Sequence, residues 1–177
     1  LSFKKNTEDE KQKVELSSGL YDRLYEVIFH YSVVPGLDWN GNFDELRFLS
    51  WMSYVKKWSK KNDRYEVAMH TVGSGLSYVK LDEEKLPSMV IIKELNKAEN
   101  KELRRGYYLG IINQRGVHFI DPEGKPEFKM AEEYNNRANI AEKKGYWRYA
   151  DVLRLVADEY NREAKRNILM ARNRNEK

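Results

Sequence analysis

The chain has 177 residues, of which 41% are hydrophobic and 34% charged, enough to bury a core without staples. No apolar run reaches the ~18 residues a membrane-spanning helix needs. The absence of cysteine excludes disulfides, thiolate nucleophiles and thiolate metal sites, and with no apolar leader in the first residues it sets the expectation of a cytoplasmic protein.

Residues 1–15 carry four lysines and four acids with few apolar side chains, which reads as a loosely packed arm. The first helix is expected from Ser17 or Ser18, with Leu20, Leu24, Val27, Ile28 and Tyr31 on one face, and it ends before Pro35-Gly36. A second helix is expected from Asn42, where Asn42 and Glu45 stand at capping-box spacing. Its apolar stripe is Phe48, Trp51, Met52, Val55 and Trp58, and its far end carries Lys56, Lys57, Lys60 and Lys61.

The pattern then changes. Tyr65, Val67 and Met69 alternate with Glu66, Ala68 and His70, Val72-Gly73-Ser74-Gly75 supplies a turn, and alternation resumes over 76–81. This predicts a β-hairpin. A helix is expected over 87–104, which is rich in good helix formers. A second hairpin is expected from 107–112 and 117–120 around Asn113-Gln114-Arg115-Gly116. Asp121 to Pro126 reads as the one boundary in the chain. Beyond it, Phe128, Ala131, Tyr134, Ala138 and Ala141 form one helical stripe. Tyr149, Ala150, Leu153, Ala157, Tyr160 and Ala164 form another, and Gly145 separates the two. The expected fold is therefore α+β. Two N-terminal helices pack with a small antiparallel sheet of two β-hairpins, and a C-terminal antiparallel helical hairpin follows. The expected organisation is an arm at 1–15, a body at 16–121 and a helical hairpin with a basic tail at 127–177.

Tyr134, Ala138, Gly145, Trp147, Ala150 and Ala157 fall where a tetratricopeptide repeat places its aromatic, small and glycine residues, so 127–165 partly resembles that family. The resemblance implies a protein-docking helix pair. Arg137, Arg154 and Arg162 depart from its pattern, and there is one copy where arrays need about three.

The net charge is +4. From Asn161 onward, Arg162, Lys165, Arg166, Arg172, Arg174 and Lys177 face only Glu163 and Glu176, so the whole excess lies in the tail. This tail is one candidate nucleic-acid contact. Lys56, Lys57, Lys60, Lys61 and Arg64, interleaved with Tyr54 and Trp58, are the other, because bases stack on aromatics while phosphates meet cations.

The catalytic options are thin. His70 and His118 fall on expected strands and would act as acid and base on a phosphodiester, with Arg64 or Lys80 steadying the phosphate. Their surroundings resemble the paired motifs of two-histidine phosphoesterases, although the second lacks the hydroxyl residue two places on. Arg64 and His70 also have a spacing similar to a HEPN ribonuclease motif, with Tyr65 where a polar residue belongs. His30 has no such context. The Gly73–Gly75 stretch precedes an expected strand and no Gly-Lys-Ser/Thr follows, so it lacks the parts of a phosphate loop. No metal-ligand spacing and no cofactor motif is present.

Twelve tyrosines, four tryptophans and six phenylalanines exceed what a core of this size must hide. Tyr21, Tyr25, Tyr107, Tyr108, Tyr146 and Trp147 are candidates for an exposed recognition surface. The expected function is a non-enzymatic protein-binding or adaptor module within a nucleic-acid-handling assembly. The alternatives are a metal-independent nuclease using the paired histidines and a direct DNA- or RNA-binding protein. The expected partner is another protein, with nucleic acid through the basic clusters as a further one. No membrane partner is expected, and a homo-oligomer is compatible with the surplus aromatics.

Overall fold

The computed structural model describes residues 36–37, 42–117 and 120–175, leaving aside the side chains of 174 and 175. The helix and the tyrosines expected before Pro35, together with His30, His118 and Phe119, lie outside the described residues. Everything described falls within Ser32–Lys177, one of the two units into which the chain divides.

Among the described residues the architecture is helical throughout, with six helices and no strand. The α+β expectation is corrected. The one piece of β geometry described is an isolated bridge between Leu37 and Phe43.

Helix α1 spans Glu45–Lys61. Asp44, not Asn42, is its N-cap, and the Asp44 carboxylate accepts from the Arg47 N–H at 2.9 Å. Phe48 and Met52 are buried. Asp63, at φ 52°, turns the chain out of the helix.

Helix α2, Tyr65–Leu76, replaces the first expected hairpin. Helix α4, Lys101–Gln114, takes in 107–112 and so replaces the second. The reason is the same in both. Gly73 of α2 faces Leu103 and Tyr107 of α4, while Gly106 and Gly110 of α4 face His70 and Ser74 of α2 and its C-cap Ser77. A Cβ on Gly73 would enter the Leu103 carbonyl, and one on Gly106 would enter the His70 carbonyl. Bare backbone is what lets these helices touch. A helix interior glycine costs ~1 kcal/mol relative to alanine, and here the burial of both helices offsets that cost.

The helix expected over 87–104 is also corrected, because it is two. Helix α3 spans Met89–Asn96, and Lys97 is extended, with ψ 137°. Asn100 fixes the break by donating to the Glu94 carbonyl at 2.7 Å. The Arg104 guanidinium donates to the carbonyls of Leu95, Lys97 and Ala98.

Gly116, at φ 58°, closes α4, and Gly124, at φ 66°, opens the next helix. Helix α5 is Lys125–Lys143 and helix α6 is Trp147–Asn175. The tight link Lys144-Gly145-Tyr146, with Gly145 at φ 84°, makes them antiparallel. Accordingly Gly124 abuts Ala164 at one end, and Glu142 pairs with Arg154 at the other. Ala131, Ala138, Ala141, Ala150, Ala157 and Ala164 are all buried, and such small side chains let helix axes approach. Asn96, the last residue of α3, accepts from the Arg148 N–H at 2.9 Å and so caps the start of α6. Helix α4 lies between the two pairs. Its Tyr107 ring meets Tyr149 of α6 at 5.9 Å between centroids.

Candidate interaction surfaces

Helix α1 buries one side and leaves the other bare. Leu46 is 79% exposed, Tyr54 67% and Trp58 42%, with Leu49 also exposed. From Leu46 to Lys61 there is no acid. Lys57 and Lys61 are exposed on this outward side, and the Lys60 ammonium sits 5.0 Å from the centre of the Tyr65 ring. Trp58, expected in the core stripe, thus stands at the edge of the outward face. Lys56 leaves the predicted basic cluster, because it points into the fold and pairs with Glu94 at 2.7 Å.

Glu94 is a buried carboxylate at the meeting of α1, α3 and α4. It accepts from Lys56, Lys97 and Asn100. Burial alone would raise its carboxyl, but the two ammonium groups outweigh burial and hold it below its ordinary value. Charge-assisted bonds of this kind rank among the stronger ones. This cluster therefore reads as structural.

The other end of α4 carries a second network. Arg115, its C-cap, pairs with Glu127 of α5 and Glu163 of α6. It also covers the Tyr160 ring at 5.4 Å. Tyr160 stacks on Tyr134 at 5.8 Å, and Arg137 lies over Tyr134 at 4.5 Å. Two guanidinium groups thus bracket two stacked rings across three helices. Burial pushes the Tyr160 hydroxyl up to about 12.

The tail bases Arg162, Arg166 and Arg172 are exposed along α6, and the side chain of Arg174 lies outside the described residues. Lys56, through Glu94 and Asn100, is tied to one end of α4, and Glu163, through Arg115, to the other, and the 14 residues of α4 span about 21 Å.

The aromatic candidates divide. Tyr107 is 1% exposed and belongs to the core, which removes it from any recognition surface. Its hydroxyl lies 3.4 Å from that of Tyr149. Tyr108 and Tyr146 are half-buried, while Trp147 is exposed.

His70 lies inside α2, not on a strand, and its carbonyl faces Gly106. Arg64 directly precedes α2. Six residues turn a helix about 1.7 times, which leaves Arg64 and His70 on different faces. Lys80 is exposed in the segment after α2. A cleft of ≈ 590 Å³ is lined by Leu37, Phe43, Val79, Leu86, Met89 and Ile92, with Lys80, Asp82 and Lys144 also at its walls. Asp82 is engaged by the Leu86 N–H at 2.8 Å and Lys144 by Glu84.

Comparison with known proteins found no match to a family model, to a curated protein or to a solved structure. The likeness of 127–165 to a tetratricopeptide repeat gains no support from it.

Proposed function

We propose that the chain is a non-catalytic binding module that docks a partner protein through the outward face of α1. The observation that carries this reading is the set Leu46, Leu49, Tyr54 and Trp58, four large apolar side chains exposed on one helix. Scattered exposed apolar residues are ordinary, but Leu46, Tyr54 and Trp58 fall within about 120° of one another around the helix, with Leu49 at the far edge of the outward side, and large apolar side chains gathered in this way support an interaction site. Tyr and Trp suit such a role because they bury large area at low entropic cost.

Charge selects the partner. The face holds Lys57 and Lys61 and no acid beyond Glu45, so a complementary segment is acidic and amphipathic, presenting leucine or aromatic anchors at helical spacing.

The probe is a synthetic helical peptide with leucines at i, i+3 and i+7 and glutamates elsewhere, titrated against the full chain. It binds, and a double variant Leu46→Ser/Trp58→Ser weakens it at least tenfold without altering the circular dichroism spectrum. A lysine version of the peptide binding equally well would sink the reading, as would displacement of the acidic peptide by a single-stranded oligonucleotide.

A further inference from the structure

The outward side of the last turns of α6 differs from the outward side of α1. Between Glu159 and Glu176 the only acid is Glu163, and the fold turns it inward to Arg115. What remains outside is Arg162, Lys165, Arg166, Leu169, Met170, Arg172 and Asn173, all exposed. Arg162 shares Glu159. Lys165, Arg166 and Arg172 have no carboxylate partner among the described residues.

The helix dipole does not explain this placement. It favours cations only within the last turn. Lys165 and Arg166 stand well before that turn in a helix that ends at Asn175.

We infer that this strip binds the phosphate backbone of a nucleic acid, independently of the α1 surface. Arg162 to Arg172 covers about 15 Å of helix axis. One strand of B-form nucleic acid places a phosphate about every 3.4 Å, so roughly four phosphates lie alongside four cations. Arg162, Arg166 and Arg172 supply planar donors suited to phosphate oxygens. Leu169, 59% exposed, and Met170, 49% exposed, stand among the cations and are residue types that wedge against sugars and bases. The site reads backbone rather than sequence. Lys165 is a contact that the tail's net charge alone does not single out.

The test uses the full chain with a fluorescent mixed-sequence DNA duplex and a single-stranded oligonucleotide, each titrated over a range of salt. With three to four phosphates neutralised, log affinity against log salt has a slope of about −3 on the duplex. The variant Lys165→Gln/Arg166→Gln/Arg172→Gln alters exposed positions with a good helix former. It flattens that slope to near −1 and lowers affinity at least tenfold at low salt, while the acidic peptide still binds to α1. Leu46→Ser/Trp58→Ser leaves nucleic-acid binding unchanged. The proposal is overturned if neither nucleic acid binds, if the triple variant keeps the slope, or if phosphatidylserine vesicles displace the duplex through the same residues.

Discussion

The two helix pairs of this fold close by different means. Helices α2 and α4 meet backbone to backbone at Gly73, Gly106 and Gly110. Helices α5 and α6 meet through buried alanines, and the remaining space is taken by the Tyr134–Tyr160 stack and by Arg137. The first contact has little slack, since a Cβ on Gly73 or Gly106 lands on a backbone carbonyl, and one on Gly110 lands on the Ser77 hydroxyl and the Ser74 carbonyl. The second keeps a side-chain layer between its helices, and a layer of that kind can be exchanged. Rigidity in this molecule therefore comes from missing side chains on one side and from interlocked ones on the other.

The sharpest way to break the contrast is Gly106→Ala. In a free helix the change would stabilise by ~1 kcal/mol. Here the new Cβ meets the His70 carbonyl, and backbone cannot swing aside as a side chain can. The expected net loss is about 3 kcal/mol or more, read as a drop in the urea midpoint. A neutral or stabilising result would mean that α2 and α4 stand further apart than described.

The next effect tests the junction at the Asn100 end of α4. Glu94→Gln removes the charge that Lys56 and Lys97 surround. Breaking a buried pair costs about 3–5 kcal/mol, and the exposure of Lys97 reduces the expectation to about 2–3 kcal/mol. The pH dependence has a definite sign. The folded carboxyl sits below its ordinary value of 4.5, so its contribution is complete above that pH and is lost as the pH falls further. The denaturation midpoints of the native chain and the variant should differ at neutral pH and converge in acid. A constant gap down to pH 2 would show that the Glu94 charge contributes nothing.

The same contrast explains what could be read from residues alone. The stripes Phe48–Met52–Val55 and Tyr149–Leu153–Ala157–Tyr160 are amphipathic at helical period, and helices stand at both. The middle misleads because its local signals are real. Tyr65, Val67 and Met69 do alternate, and Gly73 and Gly75 are ordinary turn residues. A glycine that opens space for another helix looks, in a local window, like one that opens a turn. Only the distant partner, Gly106 and Gly110, separates the two cases, and each of those positions suggests a turn in the same way. The break at 97–100 was hidden for a related reason, because it depends on Asn100 and Arg104 reaching back to carbonyls of α3. For the surfaces, the lysine run of α1 and the basic tail were visible. Lys56 turning inward to Glu94 and Glu163 turning inward to Arg115 were not, since each depends on a residue far away in the chain.

The smallest expected effect concerns Arg137, which is 7% exposed. Its neighbours are tyrosines. It lies over Tyr134, its cation is felt by Tyr107 and Tyr149, and its Nε has no hydrogen-bond partner. Burial works against the Arg137 cation, but the tyrosines around it outweigh burial and hold the guanidinium above its ordinary value; even so, hydrophobic replacements of buried charges are often neutral or stabilising. Methionine has a similar length and keeps contact with an aromatic face. Arg137→Met should therefore shift stability by less than about 1 kcal/mol in either direction. Burial already raises the Tyr107 and Tyr149 hydroxyls, and the Arg137 charge pulls against that rise. Because their folded values lie above the ordinary 10, stability is lost as the pH climbs through them. Without the cation these hydroxyls should resist ionisation further in the folded chain, so their tyrosinate absorbance should emerge with unfolding and not by titration of the folded state. A large loss of stability in Arg137→Met, with no change in the alkaline titration, would mean that Arg137 is held by an interaction other than its tyrosines, and the side-chain layer between α5 and α6 would prove as intolerant as the glycine contact between α2 and α4.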